Sequence, residues 1–114
     1  MRPVAASLLA VAVLVLLACS AGESADPQAA LVKRGEQLYR NNCTACHAQD
    51  PAQMGPVGPA IAGSSIELLE AKVLRNEYPP EHTPQRDTRA MIPLVHLEPE
   101  LPAIAAYLGA RDQE

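Results

Sequence analysis

Phenylalanine and tryptophan are absent from these 114 residues, and aromatic carbon rings come only from three tyrosines. A short chain builds its core from few side chains, and here the large flat ones are missing. An ordinary aromatic core is therefore excluded. Basic residues are scarce too: nine Lys and Arg against thirteen Asp and Glu give a formal charge of −4, which argues against nucleic acid as a partner. No run alternates apolar with polar residues and no segment repeats, so neither a sheet protein nor a solenoid is expected. The longest apolar stretch, Val4 to Leu17, is broken by Ser7 and is too short to span a bilayer comfortably. Cysteine is limited to three, too few for a tetrathiolate zinc site or a four-cysteine iron–sulfur cluster.

What is present is concentrated in Cys43-Thr44-Ala45-Cys46-His47. Two thiols three residues apart with a histidine directly after the second is the pattern of covalent c-type haem attachment. On a helical turn, positions i and i+3 share a face, so both sulfurs reach one edge of a porphyrin, and His47 falls under the iron. Thr44 and Ala45 are small and let the backbone approach the macrocycle. A thioredoxin-like dithiol uses the same C-x-x-C but needs a strand before it, and Gly35, Asn41 and Asn42 stand there instead. A porphyrin would also supply the large flat hydrophobe that the composition lacks, which predicts a largely unfolded or molten apo-protein.

The N-terminus reads as an export signal. Arg2 supplies a short positive region before the apolar run, and Leu16-Leu17-Ala18-Cys19-Ser20 resembles the lipobox of bacterial lipoproteins. Residues 1–18 are thus expected to be a signal peptide and Cys19 the lipidated first residue of the mature chain. An ordinary signal peptide cut near Ala18 or Ala21 is the alternative. Thioether formation is a maturation step of extracytoplasmic compartments, so motif and signal agree on location. Two haem thioethers would leave Cys19 as the one odd cysteine, and lipidation accounts for it. Residues 19–28 are polar and small, a tether whose reach of about 15–20 Å keeps the domain near a membrane. Residues 29–114 form one domain. The modest acidity fits docking to a basic patch on a redox partner, or simple solubility.

Three helices are expected along that domain. Asp26 and Pro27 suit the cap and first turn of one, with Leu31, Gly35, Leu38 and Tyr39 as its inward stripe, ended by Asn41-Asn42. Gln49 to Gly63 holds too many prolines and glycines for a regular element and must wrap something. Ser64 with Glu67 reads as a capping box for a second helix running to about Glu77, stopped by Tyr78-Pro79-Pro80. Glu81 to Pro93 is irregular again. A third helix starts near Pro99, takes Pro102 in its first turn, and turns Leu101, Ile104, Ala105 and Leu108 inward.

His47 is the expected fifth ligand of the iron. The sixth comes from Met54, Met91, His82 or His96. Met54 follows His47 too closely to reach the other haem face, and it reads as packing or exposed loop. His82 and His96 can ligate, though each has an ordinary surface explanation. Met91, deep in the second irregular segment and flanked by Ala90, Ile92 and Pro93, is the preferred candidate, and a thioether there favours ferrous iron.

Gly35 to Tyr39, Cys43 to His47, Gly58-Pro59-Ala60-Ile61-Ala62-Gly63, Met91-Ile92-Pro93 and Ala105 to Leu108 occur in the order found in class I cytochromes c. From Leu31 to Leu108 the chain resembles the small bacterial single-haem form of that family. Ile92 separates Met91 from Pro93, which are often adjacent in the family. The resemblance implies an all-α fold of about three helices with long Pro/Gly-rich loops wrapped around one covalent haem c. It implies that the first and last helices cross at Gly35, near Tyr107. It also implies that the Pro59 carbonyl accepts a hydrogen bond from His47 Nδ1. The expected function is one-electron transfer between redox-partner proteins outside the cytoplasm, without substrate chemistry, by a monomer or a subunit of a redox complex. Alternatives are a haem subunit dedicated to one oxidoreductase, or a haem enzyme or gas sensor with an open sixth site. Arg86 and Arg89 would serve the latter, or act as solvated charges and propionate partners.

Overall fold

The computed structural model describes residues 26–86 and 88–114. The expected signal peptide and Cys19 lie outside the described residues, as does most of the tether. Asp26 caps the first helix: its Oδ1 accepts the Gln28 N–H at 3.0 Å, and Pro27 fills the first turn, where no N–H is needed. Helix α1 spans Pro27–Asn42, with its cap and first turn where Asp26 and Pro27 were expected to place them. Gly35, Leu38 and Tyr39 are buried as the stripe required. Leu31 is not: it is 37% exposed, and its neighbour Val32 packs against the core instead.

Helix α2 begins at Ile66 and is α-helical only to Leu69, continuing through Glu70–Leu74 as a π-helical turn. Its cap is Ser65 rather than the expected Ser64. Ser65 Oγ accepts the Leu68 N–H at 3.3 Å, while Ser64 Oγ is taken by the Ile61 carbonyl at 2.7 Å. The helix also stops short of Glu77, because Asn76 adopts a left-handed φ of 53°. Its side chain holds that turn, accepting from Lys72 Nζ at 2.6 Å and donating to the Arg89 carbonyl at 3.2 Å.

A 3-10 turn at Val95–Glu100 contains Pro99 and leads into helix α3, Leu101–Asp112, with Pro102 in its first turn. The third helix therefore starts two residues later than expected. Leu101, Ala103, Ile104, Tyr107 and Leu108 are buried on it, while Ala105 only flanks the core. No strand occurs among the described residues. The fold is all-α.

Helices α1 and α3 cross at Gly35. A Cβ there would fall on the Ala103 carbonyl and 2.8 Å from Tyr107 Cβ, so only glycine permits this approach. Beside the crossing, the Tyr39 and Tyr107 rings meet at 5.5 Å with a 51° tilt. Arg34 on α1 pairs with Glu100 at 2.5 Å on the solvent side. Leu69 and Val73 from α2 and Leu97 from the 3-10 turn complete the core. Each such side chain contributes about 1.5–3 kcal/mol by leaving water. The loop after α1 is tied to α3 by the Gly63 N–H donating to the Leu108 carbonyl at 2.8 Å and by Arg111 beside Asp50 at 3.4 Å.

Candidate cofactor site

Cys43 caps α1, its N–H still bonded to the Tyr39 carbonyl at 2.8 Å. The chain then makes one more helical turn, because the Cys46 and His47 N–H groups both donate to the Cys43 carbonyl, at 3.2 and 2.9 Å. That turn brings Cys43, Cys46 and His47 to the wall of one cavity of about 360 Å³. Core residues Leu69, Val73, Leu97, Ile104 and Leu108 form another part of the wall. The cavity is thus continuous with the hydrophobic core.

His47 is buried, with 9% of its surface exposed. Its Nδ1 lies 2.9 Å from the Pro59 carbonyl, which can only accept, so Nδ1 carries a proton and Nε2 is the nitrogen left to act as a ligand. Gly58 lies flat against the same ring: a Cβ there would come within 2.5 Å of Nδ1. The Cys46 carbonyl fixes this part of the loop by accepting from Val57 at 3.2 Å and Gly58 at 2.8 Å. Tyr39 Oη ties the far side by donating to the Ala48 carbonyl at 2.6 Å. Both cysteines are free, and burial pushes the Cys43 thiol up to about 11. A redox dithiol needs the opposite shift in its attacking thiol.

Of the four sixth-ligand candidates, the structure brings two to the cavity. Met91 is half-buried, lines the wall and packs against the core. His82 lines it as well, stacked on Tyr78 at 5.2 Å, with Lys72 Nζ 4.2 Å above the tyrosine ring. His96 is exposed and outside the wall. Met54 is 51% exposed, and its sulfur accepts the Ala60 N–H at 3.4 Å. Ile92, between Met91 and Pro93, is 70% exposed and lies on the open rim of the same cavity. Arg86 faces the cavity and donates to the Val57 carbonyl at 2.7 Å.

The cytochrome c family model matches residues 32–111, most of the described chain. The chain belongs to the cytochrome c family. No curated protein and no solved structure matches it. Cytochromes c bind haem c covalently and transfer electrons through it, and their domains are typically extracytoplasmic. The donor set here suits that group: two thiols at the attachment spacing, an imidazole oriented through Nδ1, a thioether, and an apolar cavity. One haem is what the single motif accommodates.

Sequence reasoning missed the groups that position this cytochrome's loops. Gln85 Nε2 donates to the Ala60 carbonyl at 2.9 Å, and Leu94 N–H to the Val73 carbonyl at 2.6 Å. Neither leaves a signal in spacing or periodicity, because both join irregular segments to distant backbone.

Proposed function

We propose that this cytochrome carries single electrons between redox-partner proteins, with Cys43 and Cys46 as thioether attachments and His47 and Met91 as axial ligands. The observation that carries the reading is the shared cavity: the attachment motif, the oriented imidazole and a core-packed methionine all line it. Bound there, haem c supplies a one-electron ferric/ferrous couple. The residues do the rest. Pro59 holds His47 in one tautomer and raises its basicity as a ligand. Met91 on the cavity wall would hold the haem iron together with His47 and so leave no site for a small molecule, which supports a carrier without substrate chemistry. Leu69, Val73 and Leu97 keep the site dry, so little rearrangement accompanies the change of charge.

The N-terminal reading completes the proposal. Residues 1–18 direct export and Cys19 carries the lipid, so the domain works beside a membrane on the extracytoplasmic side. Multiple acyl chains would anchor it stably, where one would not. Mass spectrometry of the membrane-extracted mature chain should find acylated Cys19 at its N-terminus. An unmodified start near Ala18 or Ala21 would refute the anchor.

Ligation is tested by the optical spectrum of the holo-protein, oxidised and reduced. The expected result is a low-spin spectrum with the weak near-infrared band of methionine sulfur on ferric iron, lost in Met91→Ala. His82 is the competing ligand, because it shares the cavity wall. A low-spin spectrum without that band, altered by His82→Ala, would assign it. A high-spin wild-type spectrum would instead indicate an open site for peroxide or a gas.

A further inference from the structure

Four consecutive carbonyls in the loop beneath His47 each have a committed donor. Val57 accepts from Arg86 Nη1 at 2.7 Å, Gly58 from the Gly55 N–H at 2.9 Å, Pro59 from His47 at 2.9 Å, and Ala60 from Gln85 Nε2 at 2.9 Å. The outer two donors are adjacent side chains on the segment that leads to Met91. Residues 55–60 belong to no helix or strand, so no ladder sets the direction of these carbonyls. Pro59 has no N–H of its own to anchor its peptide. Its orientation follows from what holds its neighbours: on one side the Cys46 carbonyl, bonded by the Val57 and Gly58 N–H groups, together with Arg86, and on the other Met54 Sδ, bonded by the Ala60 N–H, together with Gln85.

We infer that Gln85 and Arg86 are positioning residues. Together they clasp the loop so that the Pro59 carbonyl stays aimed at His47 Nδ1, and so set the donor strength of Nε2 and the reduction potential. The inference rests on His47 being an axial ligand. A firm Nδ1–H···O bond increases the electron density of the imidazole and stabilises ferric iron, which lowers the potential. Loosening the clasp therefore raises it. Gln85 is neutral, so losing its hydrogen bond alters the loop without altering charge. Removing Arg86 also removes a positive charge from the cavity wall, which by itself lowers the potential. The sign of the change thus separates the two mechanisms.

The test uses holo-protein with Gln85→Met, which keeps the length and deletes the donor, and with Arg86→Met. Exchange of the His47 Nδ1 proton is followed by NMR in the diamagnetic reduced state, and the equilibrium potential is measured alongside. Gln85→Met should exchange that proton about fivefold faster and raise the potential, with the methionine band unchanged. Gln85→Lys restores a donor and should return exchange towards the wild-type rate. Unchanged exchange and potential in Gln85→Met, with at most a small loss of thermal stability, would overturn the inference and leave a surface latch. A lower potential with unchanged exchange in Arg86→Met would also overturn it, assigning Arg86 to the cofactor's carboxylates. A wild-type spectrum without histidine ligation would remove the underlying reading before any variant is compared.

Discussion

At the residue scale, the tightest constraint is Gly35. Its missing side chain is occupied by the Ala103 carbonyl, so Gly35→Ala must push α1 and α3 apart. Denaturant unfolding of the holo-protein should show a loss of about 3 kcal/mol, against the fraction of a kilocalorie an alanine gains on a free helix surface. Tyr39 makes a different demand. Burial, with smaller contributions from neighbouring groups, raises its hydroxyl well above the usual tyrosine value, and Tyr107 is raised by burial too. A raised folded value means full stability below about pH 10, where free tyrosine titrates, and progressive loss as pH rises above it. Tyr39→Phe should flatten that alkaline loss, while costing about 1 kcal/mol at neutral pH because the Ala48 carbonyl loses its donor. Unfolding midpoints at pH 7 and above pH 10 check both signs.

At the element scale, the helices were legible where local chemistry is decisive. Asp26, Pro27 and Pro102 behave as capping and first-turn residues in the structure, and Gly35 marks the crossing. The misplacements have tertiary causes. Ser64 and Ser65 are equivalent as letters, and the Ile61 carbonyl decides between them by taking Ser64. The π-helical turn at Glu70–Leu74 leaves no mark in the apolar spacing, and the Val73 carbonyl, free in that last turn, is met by the distant Leu94 N–H. Leu31 and Val32 exchange roles, Leu31 standing 37% exposed while Val32 packs on the core. The two bonds of Gln85 and Arg86 were illegible for the same reason: nothing local requires them. Asn76 offers a test at this scale. Asn76→Ala loses both side-chain bonds and strains a left-handed backbone, at about 2 kcal/mol, whereas Asn76→Gly should recover the backbone share of roughly 1 kcal/mol. Equal losses in the two variants would show that the backbone strain is negligible.

At the scale of the whole molecule, core and cofactor cavity share their residues. Leu69, Val73, Leu97, Ile104 and Leu108 belong to both, and no Phe or Trp is available to pack them otherwise. A Cys43→Ala/Cys46→Ala double variant, produced without attached haem, should keep part of its helical far-ultraviolet signal and lose cooperative thermal unfolding. A sharp transition in that variant would show a self-sufficient core. The crossing joins α1 to α3 over a long stretch of sequence, since Gly35 finds Ala103 and Tyr107 only when α3 has been made. During synthesis, therefore, Cys43 and Cys46 emerge long before the fold can close over them. Closure waits for α3, and the order of manufacture itself leaves an interval in which both thiols stand open on a chain that is still loose.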